Sequence, residues 1–224
     1  MKPRTRDAWI ESVLLGAGLV MLGCWAAATL SALAYQHAAG RIVDAWSGGG
    51  WAAAEGTAAA GRTATGGRRL AGGPLGRLEI PRLGLRVIVA EGTDARTLEH
   101  AVGHLAGSAL PGEPGNVALV GHRDTYFRRL ALARRGDRID LVAPDGRHRY
   151  RVQDIAVVSP RRVDVLAPTP EPCLTLVTCY PFHVLGPAPR RFVVRAAAIE
   201  GLRSASQRSP TASAAVAAWP IPAR

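Results

Sequence analysis

Lysine is almost missing from this chain: Lys2 is its single copy, so 27 of the 28 basic residues are Arg. Aromatic residues are scarce at 5%, and 224 residues hold three cysteines and two methionines. An Arg excess without interleaved aromatics does not make a nucleic-acid surface, which combines a basic face with stacking side chains. Position argues the same way. Between residues 75 and 200 there are 18 Arg and 13 acidic residues, and more than half of the formal net charge of +11 lies outside that window. No nucleic-acid partner is expected. Wholesale disorder is excluded by the 48% of hydrophobic residues, which is enough to build a core. The length suits one ordinary domain with extensions.

Charge of either sign is absent from Ser12 to Gly40, and the centre of that stretch, Val13 to Ala34, is an apolar run of 22 residues. About 20 apolar residues at a 1.5 Å rise cross the ~30 Å hydrocarbon layer of a bilayer. Lys2, Arg4 and Arg6 precede the run and Arg41 follows it. Basic flanks stay on the cytoplasmic side, so the expected topology places the N-terminus inside and the rest of the chain outside. Ala32-Leu33-Ala34 would suit signal-peptide cleavage, but secretory apolar regions run to about 7–15 residues. A lipoprotein cut at Cys24 would bisect the span. All three readings export the remainder.

Residues 36–74 are rich in Gly and Ala and lack periodicity beyond a short helical pattern at Ile42 to Trp46, which reads as a spacer. From Leu75 the texture changes. GRLEIPRL and LRVIVAE, Asn116 to Val120, Arg138 to Val142, His148 to Val158, Cys173 to Cys179 and Phe192 to Ile199 read as short strands. Asp94 to Val102 opens on a capping Asp and reads as helix, and Pro144-Asp145-Gly146 marks a hairpin. The pattern predicts a mostly β barrel or sandwich with one or two short helices, preceded by a transmembrane helix. The expected layout is a cytoplasmic N-terminus (1–12), a transmembrane anchor (13–35), a linker (36–74), a folded domain (75–200) and a disordered tail (201–224).

Two cysteines fall in the exported part. If Cys173 to Cys179 is one strand, six residues at ~3.3 Å set them about 20 Å apart, whereas a disulfide needs Cα atoms within roughly 7 Å. A thiol left free outside the cytoplasm is either buried or used. Cys173, at the strand entrance, fits a buried small hydrophobe. Cys179 stands at the far end, directly before Tyr180-Pro181, where a reactive side chain can face a cleft. A nucleophilic thiol needs a proton-transfer partner and donors for the developing oxyanion. His122 follows the apolar strand NVALV through Gly121 and fits the first role; His37 and His148 read as solvated, and His183 as a loop residue. For the second, Arg190 and Arg191 open the last strand, and Arg offers several N–H donors at a permanent charge. His100 and His104 have an i, i+4 metal-ligand spacing, but no Glu of the H-E-x-x-H kind lies between them and no second ligand pair follows. No metal site is expected.

Together these residues carry a resemblance. Leu78-Glu79-Ile80-Pro81, Leu110-Pro111-Gly112-Glu113-Pro114-Gly115-Asn116, Gly121-His122-Arg123-Asp124-Thr125, Leu174-Thr175-Leu176-Val177-Thr178-Cys179-Tyr180-Pro181-Phe182 and Arg191-Phe192-Val193-Val194 resemble the sortases, membrane-anchored cysteine transpeptidases of bacterial surfaces. The GHRDT and TCYPF forms are most similar to class D and its Gram-negative relatives. The resemblance implies a closed eight-stranded β-barrel, Cys179 as nucleophile, His122 as proton-transfer partner and Arg191, immediately before the apolar strand, in preference to Arg190 as the oxyanion and substrate clamp. It implies a substrate-carbonyl contact at Thr178 and a sorting-signal loop at Ser159 to Pro172. The implied reaction cuts an LPxTG-like signal after Thr through a thioacyl-enzyme and passes the product to an amine on the cell surface or a pilin subunit. The partners would be surface proteins bearing that signal, the amine acceptor and the cytoplasmic membrane. No cofactor is implied, and Glu91, Asp94, Glu99 and Glu171 are too dispersed for a calcium cluster. Two other functions fit parts of the pattern: a thiol hydrolase using water, and a non-catalytic, tethered Arg-rich module for acidic polymers.

Overall fold

A computed structural model of the chain describes residues 4–48, 72–184 and 186–199. Helix α1 runs from Arg4 to Gly48, about 67 Å at 1.5 Å per residue. From Val13 to Ala34 it is apolar on all sides, and Leu14, Leu15, Leu19, Met21, Leu22 and Trp25 are all exposed. From Tyr35 the pattern changes. Tyr35, Ala39, Val43 and Trp46 recur at helical spacing and make one stripe, and Ala39 and Val43 are buried against Ile88 and Val142 of the folded domain.

The spacer expected over 36–74 is corrected here: its first 13 residues continue α1 and dock on the barrel. Gly and Ala obscured the periodicity, since the stripe has four members among small residues. Polar contacts fix the docking register. Gln36 accepts from the Ile88 amide at 3.0 Å and donates to His100 O at 2.7 Å, while the Tyr35 hydroxyl donates to Gly72 O at 2.7 Å. Of the remainder of the expected spacer, 49–71 lies outside the described residues, as does the expected tail at 201–224, while Pro74 opens the first strand.

The folded part is a closed barrel of eight strands: β1 (Pro74–Ile80), β2 (Leu85–Glu91), β3 (Val102–His104), β4 (Asn116–Val120), β5 (Arg138–Ala143), β6 (Gly146–Val158), β7 (Cys173–Tyr180) and β8 (Arg190–Ala198). Around the barrel they follow the order β1-β2-β3-β4-β7-β8-β6-β5. Closure leaves no open edge, and the alternation read from the sequence fills the interior with Leu78, Ile80, Leu119, Ile139, Leu141, Tyr150, Leu174, Leu176 and Val194. The short helix α2 (Ala95–His100) begins at the expected cap, where Asp94 accepts from the Thr97 amide at 3.1 Å and from the Thr97 hydroxyl at 2.6 Å. It stops before the expected Val102, which joins β3 and pairs with Val89. β2 meets β3 only from Val89 onward, so the amide of Ile88 is satisfied by Gln36 of α1 instead of by a strand.

One topological feature places the site. β4 and β7 are parallel neighbours, paired from Asn116 with Cys173 to Val120 with Val177. β8 runs antiparallel beside β7, pairing Cys179 with Arg191 and Tyr180 with Arg190. The ends of β4 and β7 and the start of β8 therefore lie together at one rim of the barrel.

Candidate active site

β7 alternates. Leu174 and Leu176 face the core, so by period-2 alternation Cys173, Thr175, Val177 and Cys179 share the outer face. Arg191 lies directly opposite Cys179 in the antiparallel register. Opposite residues project to the same face, with Cα atoms about 4.5–5.5 Å apart. Cys179 is half-buried and Arg191 is half-buried beside it.

His122 reaches this rim from the other side of β7. Gly121 extends the parallel ladder one step past β4 by donating its amide to Val177 O at 3.2 Å. His122 then stands level with Cys179, because Val120 is paired with Val177 two residues earlier in both strands. Adjacent strands are about 4.8 Å apart, so the backbone of His122, an exposed residue, passes beside that of Cys179. The turn needs glycine before the histidine: a Cβ on Gly121 would meet the Phe127 ring at 2.9 Å. Phe127 is fully buried there and donates its amide to His122 O at 3.0 Å. The same loop carries Tyr126, whose phenol is raised by burial, partly offset by a hydrogen bond with Gln36 of α1.

Thr178 directly precedes Cys179 on β7. It is buried, and its hydroxyl donates to Gly121 O at 2.7 Å. Its side chain ties β7 to the base of the His122 loop, since it falls on the inward side of the alternation. Arg191 donates Nη1 to Ala188 O at 3.1 Å and to Arg190 O at 3.0 Å, while the Arg190 side chain is exposed. His100 and His104 do not share a helix face. α2 ends at His100, and His104 lies buried in β3, with Nδ1 3.1 Å from Glu91 Oε2 and Nε2 3.0 Å from Ala109 O. His183 is exposed in the β7–β8 connection.

Two loop-anchoring residues escaped the sequence reading, one at the far end of β4 and one at the rim. Asn116, buried at the start of β4, donates to Val165 O at 3.3 Å and to Ala167 O at 3.2 Å. It thereby anchors the β6–β7 connection, the loop expected to read a sorting signal. Arg123, next to His122, is buried and donates into the β7–β8 connection. A polar residue opening an apolar strand was the available signal for Asn116; nothing in the local pattern distinguishes Arg123 from the surface arginines.

This arrangement of a strand-end cysteine, a histidine just past the end of the parallel neighbour and an arginine paired opposite the cysteine coincides with a family match. A model of the sortase domain family matches residues 78–199, more than half of the chain. The chain belongs to the sortase family. It is 38% identical over 120 residues to Sortase D of Bacillus subtilis, covering 53% of this chain and 61% of that protein. Among solved structures, a Clostridium perfringens Sortase D5 transpeptidase aligns with a TM-score of 0.54 at 30% identity, covering 59% of this chain and 82% of that one. Sortase A from Corynebacterium diphtheriae aligns with a TM-score of 0.54 at 32% identity, over 61% of this chain and 64% of that one. The chain spans less than two thirds of the length of the curated relatives it matches. The matched segment starts within β1 and runs to the end of the barrel; α1 lies before it.

Proposed function

We propose that the chain is a membrane-anchored cysteine transpeptidase that cuts an LPxTG-like sorting signal after Thr and joins the product to an amine. The observation that carries this reading is the register of β7, which sets Cys179 opposite Arg191 and level with His122. The thiolate of Cys179 attacks the Thr carbonyl carbon. The negative charge passes to the carbonyl oxygen, where the Arg191 guanidinium offers N–H donors and a permanent positive charge. As the tetrahedral species collapses, the C–N bond breaks and His122 delivers a proton to the departing amine. A thioester on Cys179 remains. An incoming amine adds to that thioester, gives up its proton to His122 and expels the thiolate, which restores the enzyme. Arg191, not Arg190, is assigned the oxyanion because its position faces Cys179.

The anchor reading rests on α1, whose uncovered apolar stretch is long enough to cross a bilayer. With the basic flank at Lys2, Arg4 and Arg6, the N-terminus lies in the cytoplasm and the barrel outside. The layout follows as an inner N-terminus, a span ending near Tyr35, a docked helical stalk and the catalytic barrel. Its protein partners would be surface proteins or pilin subunits that end in a sorting signal. To test this reading, full-length protein in detergent is incubated with an LPxTG-type peptide and an amine-bearing acceptor peptide. A ligated product whose formation is abolished by Cys179→Ala is expected. Cleavage with water alone, unaltered by any acceptor, would make the protein a hydrolase.

A further inference from the structure

Burying a guanidinium is costly unless each donor finds a partner. Arg123 is only 9% exposed, and its two bonded nitrogens go to carbonyls five residues apart in one loop. Nη1 donates to Pro181 O at 3.0 Å and Nη2 to Gly186 O at 2.7 Å. Two fixed donors on one planar fork hold a loop in a way that a single ammonium does not. That loop connects Cys179 to Arg191. Arg191 in turn rests its own guanidinium on Ala188 O, near the end of the same connection, and on Arg190 O at the start of β8. The contacts thus form a chain: Arg123 grips the loop, and carbonyls at the end of the loop and the start of β8 hold Arg191, the residue paired with Cys179. The tripeptide Gly121-His122-Arg123 therefore joins the imidazole and the loop behind the guanidinium in one rigid turn, packed on Phe127.

We propose that Arg123 is a positioning residue, which sets where the Arg191 guanidinium stands relative to Cys179 by pinning the β7–β8 connection. It touches neither substrate nor thiol. The proposal rests on the transpeptidase reading for its catalytic consequence, while the pinning itself is independent of it.

The test compares full-length wild-type protein with Arg123→Ala, Arg123→Lys, Arg191→Ala and the double variant Arg123→Ala/Arg191→Ala, all in detergent. Hydrogen exchange of the backbone amides between 182 and 190, prolines excepted, is expected to quicken by about 10-fold or more in Arg123→Ala, with strands β4 and β7 unchanged, because opening is confined to the released loop. Acyl-enzyme formation, followed by intact mass with an LPxTG-type peptide, is expected to slow by roughly 30-fold in Arg123→Ala and to recover in part in Arg123→Lys. In the Arg191→Ala background the same change is expected to cost less than about 3-fold, since residues acting through one group are not additive.

An equal loss on both backgrounds would overturn the proposal, because Arg123 would then act on something other than Arg191. Unchanged loop exchange would overturn it too, whatever the activity. Failure of the wild-type protein to acylate would count against the transpeptidase reading, and the exchange comparison would still decide whether Arg123 pins the loop.

Discussion

At the start of β7, Cys173 is buried and its thiol donates to Asn116 Oδ1 at 3.3 Å, in a network that also takes in the hydroxyls of Thr169 and Thr175. Six residues on, at the other end of the same strand and on the same outer face, Cys179 is half-exposed between His122 and the Arg191 position. One side chain occurs twice on one strand, and the surroundings give it opposite fates. At the first end, polar groups saturate one another beneath a loop, so the thiol is structural. At the second, the strands terminate, and the Arg191 and His122 positions flank the cysteine at a rim. The transpeptidase reading places the chemistry there, at strand ends, where the ladder stops consuming polar groups.

The largest expected effect separates the two cysteines. Cys179→Ala should abolish turnover and leave the thermal unfolding midpoint nearly unchanged, whereas Cys173→Ala should retain turnover and cost about 1–2 kcal/mol of stability for the lost packing and hydrogen bond. Activity and thermal melts of both variants check this. Loss of cooperative unfolding in Cys179→Ala would break the contrast, because that thiol would then be a core element.

Next in size is the pair of arginines at the active rim. Arg191→Lys is expected to slow acylation by about 100-fold, since an ammonium cannot present two N–H donors in one plane. Arg190→Lys is expected to change it by less than about 3-fold, as an exposed side chain facing away from the thiol. Single-turnover rates decide between them, and the reverse order would move the oxyanion assignment to Arg190.

At the quiet end, Asn116→Ala removes both the acceptor for Cys173 and Thr175 and the donor to the 165–167 segment. Orphaning these groups is expected to cost about 2–3 kcal/mol. Because the same side chain anchors the β6–β7 connection, KM for the sorting peptide should rise more than kcat falls; a pure stability loss with unchanged KM would show that the loop holds itself.

The smallest effect concerns acid. Hydrogen bonding from Arg82 holds the Asp137 carboxyl below its usual range, against the opposing influence of burial, with help from the Arg134 amide at 2.8 Å. A carboxyl depressed on folding lends stability that is complete above its unfolded value, near 3.9, and is lost as pH falls through the lower folded value. The melting-temperature gap between wild type and Asp137→Asn should therefore be open at pH 6 and close progressively below about pH 4. A gap independent of pH would mean that the Arg82 contact contributes through packing and not through charge.

Much of this was legible in the amino-acid order. Alternation located β4, β5, β7 and β8 to within one or two residues at each end, because one face of each strand must fill the barrel. Asp94 announced α2, but its length was overread: Val102 and His104 are drawn into β3 by pairing with Val89, Glu91 and Leu119, a contact invisible locally. The stalk half of α1 was taken for spacer, because Ala39 and Val43 acquire a partner only when Ile88 and Val142 are brought to them. Cys179, His122 and Arg191 were each picked out at strand ends. Their adjacency needed the strand order β4-β7-β8, which joins residues 57 and 12 positions apart. Arg123 was unreadable for a related reason, since its partners are backbone carbonyls, and carbonyls leave no mark in a sequence.

The most direct measurement of the central claim is to map the thioester. Full-length protein is mixed with an LPxTG-type peptide without added amine, quenched in acid, digested, and the adduct located by mass spectrometry. The expected result is a thioester on Cys179 carrying the peptide cut after Thr, none on Cys173 or Cys24, and loss of the adduct on adding an amine. An adduct on Cys173, or an unmodified Cys179 in protein that still turns the peptide over, would contradict the account.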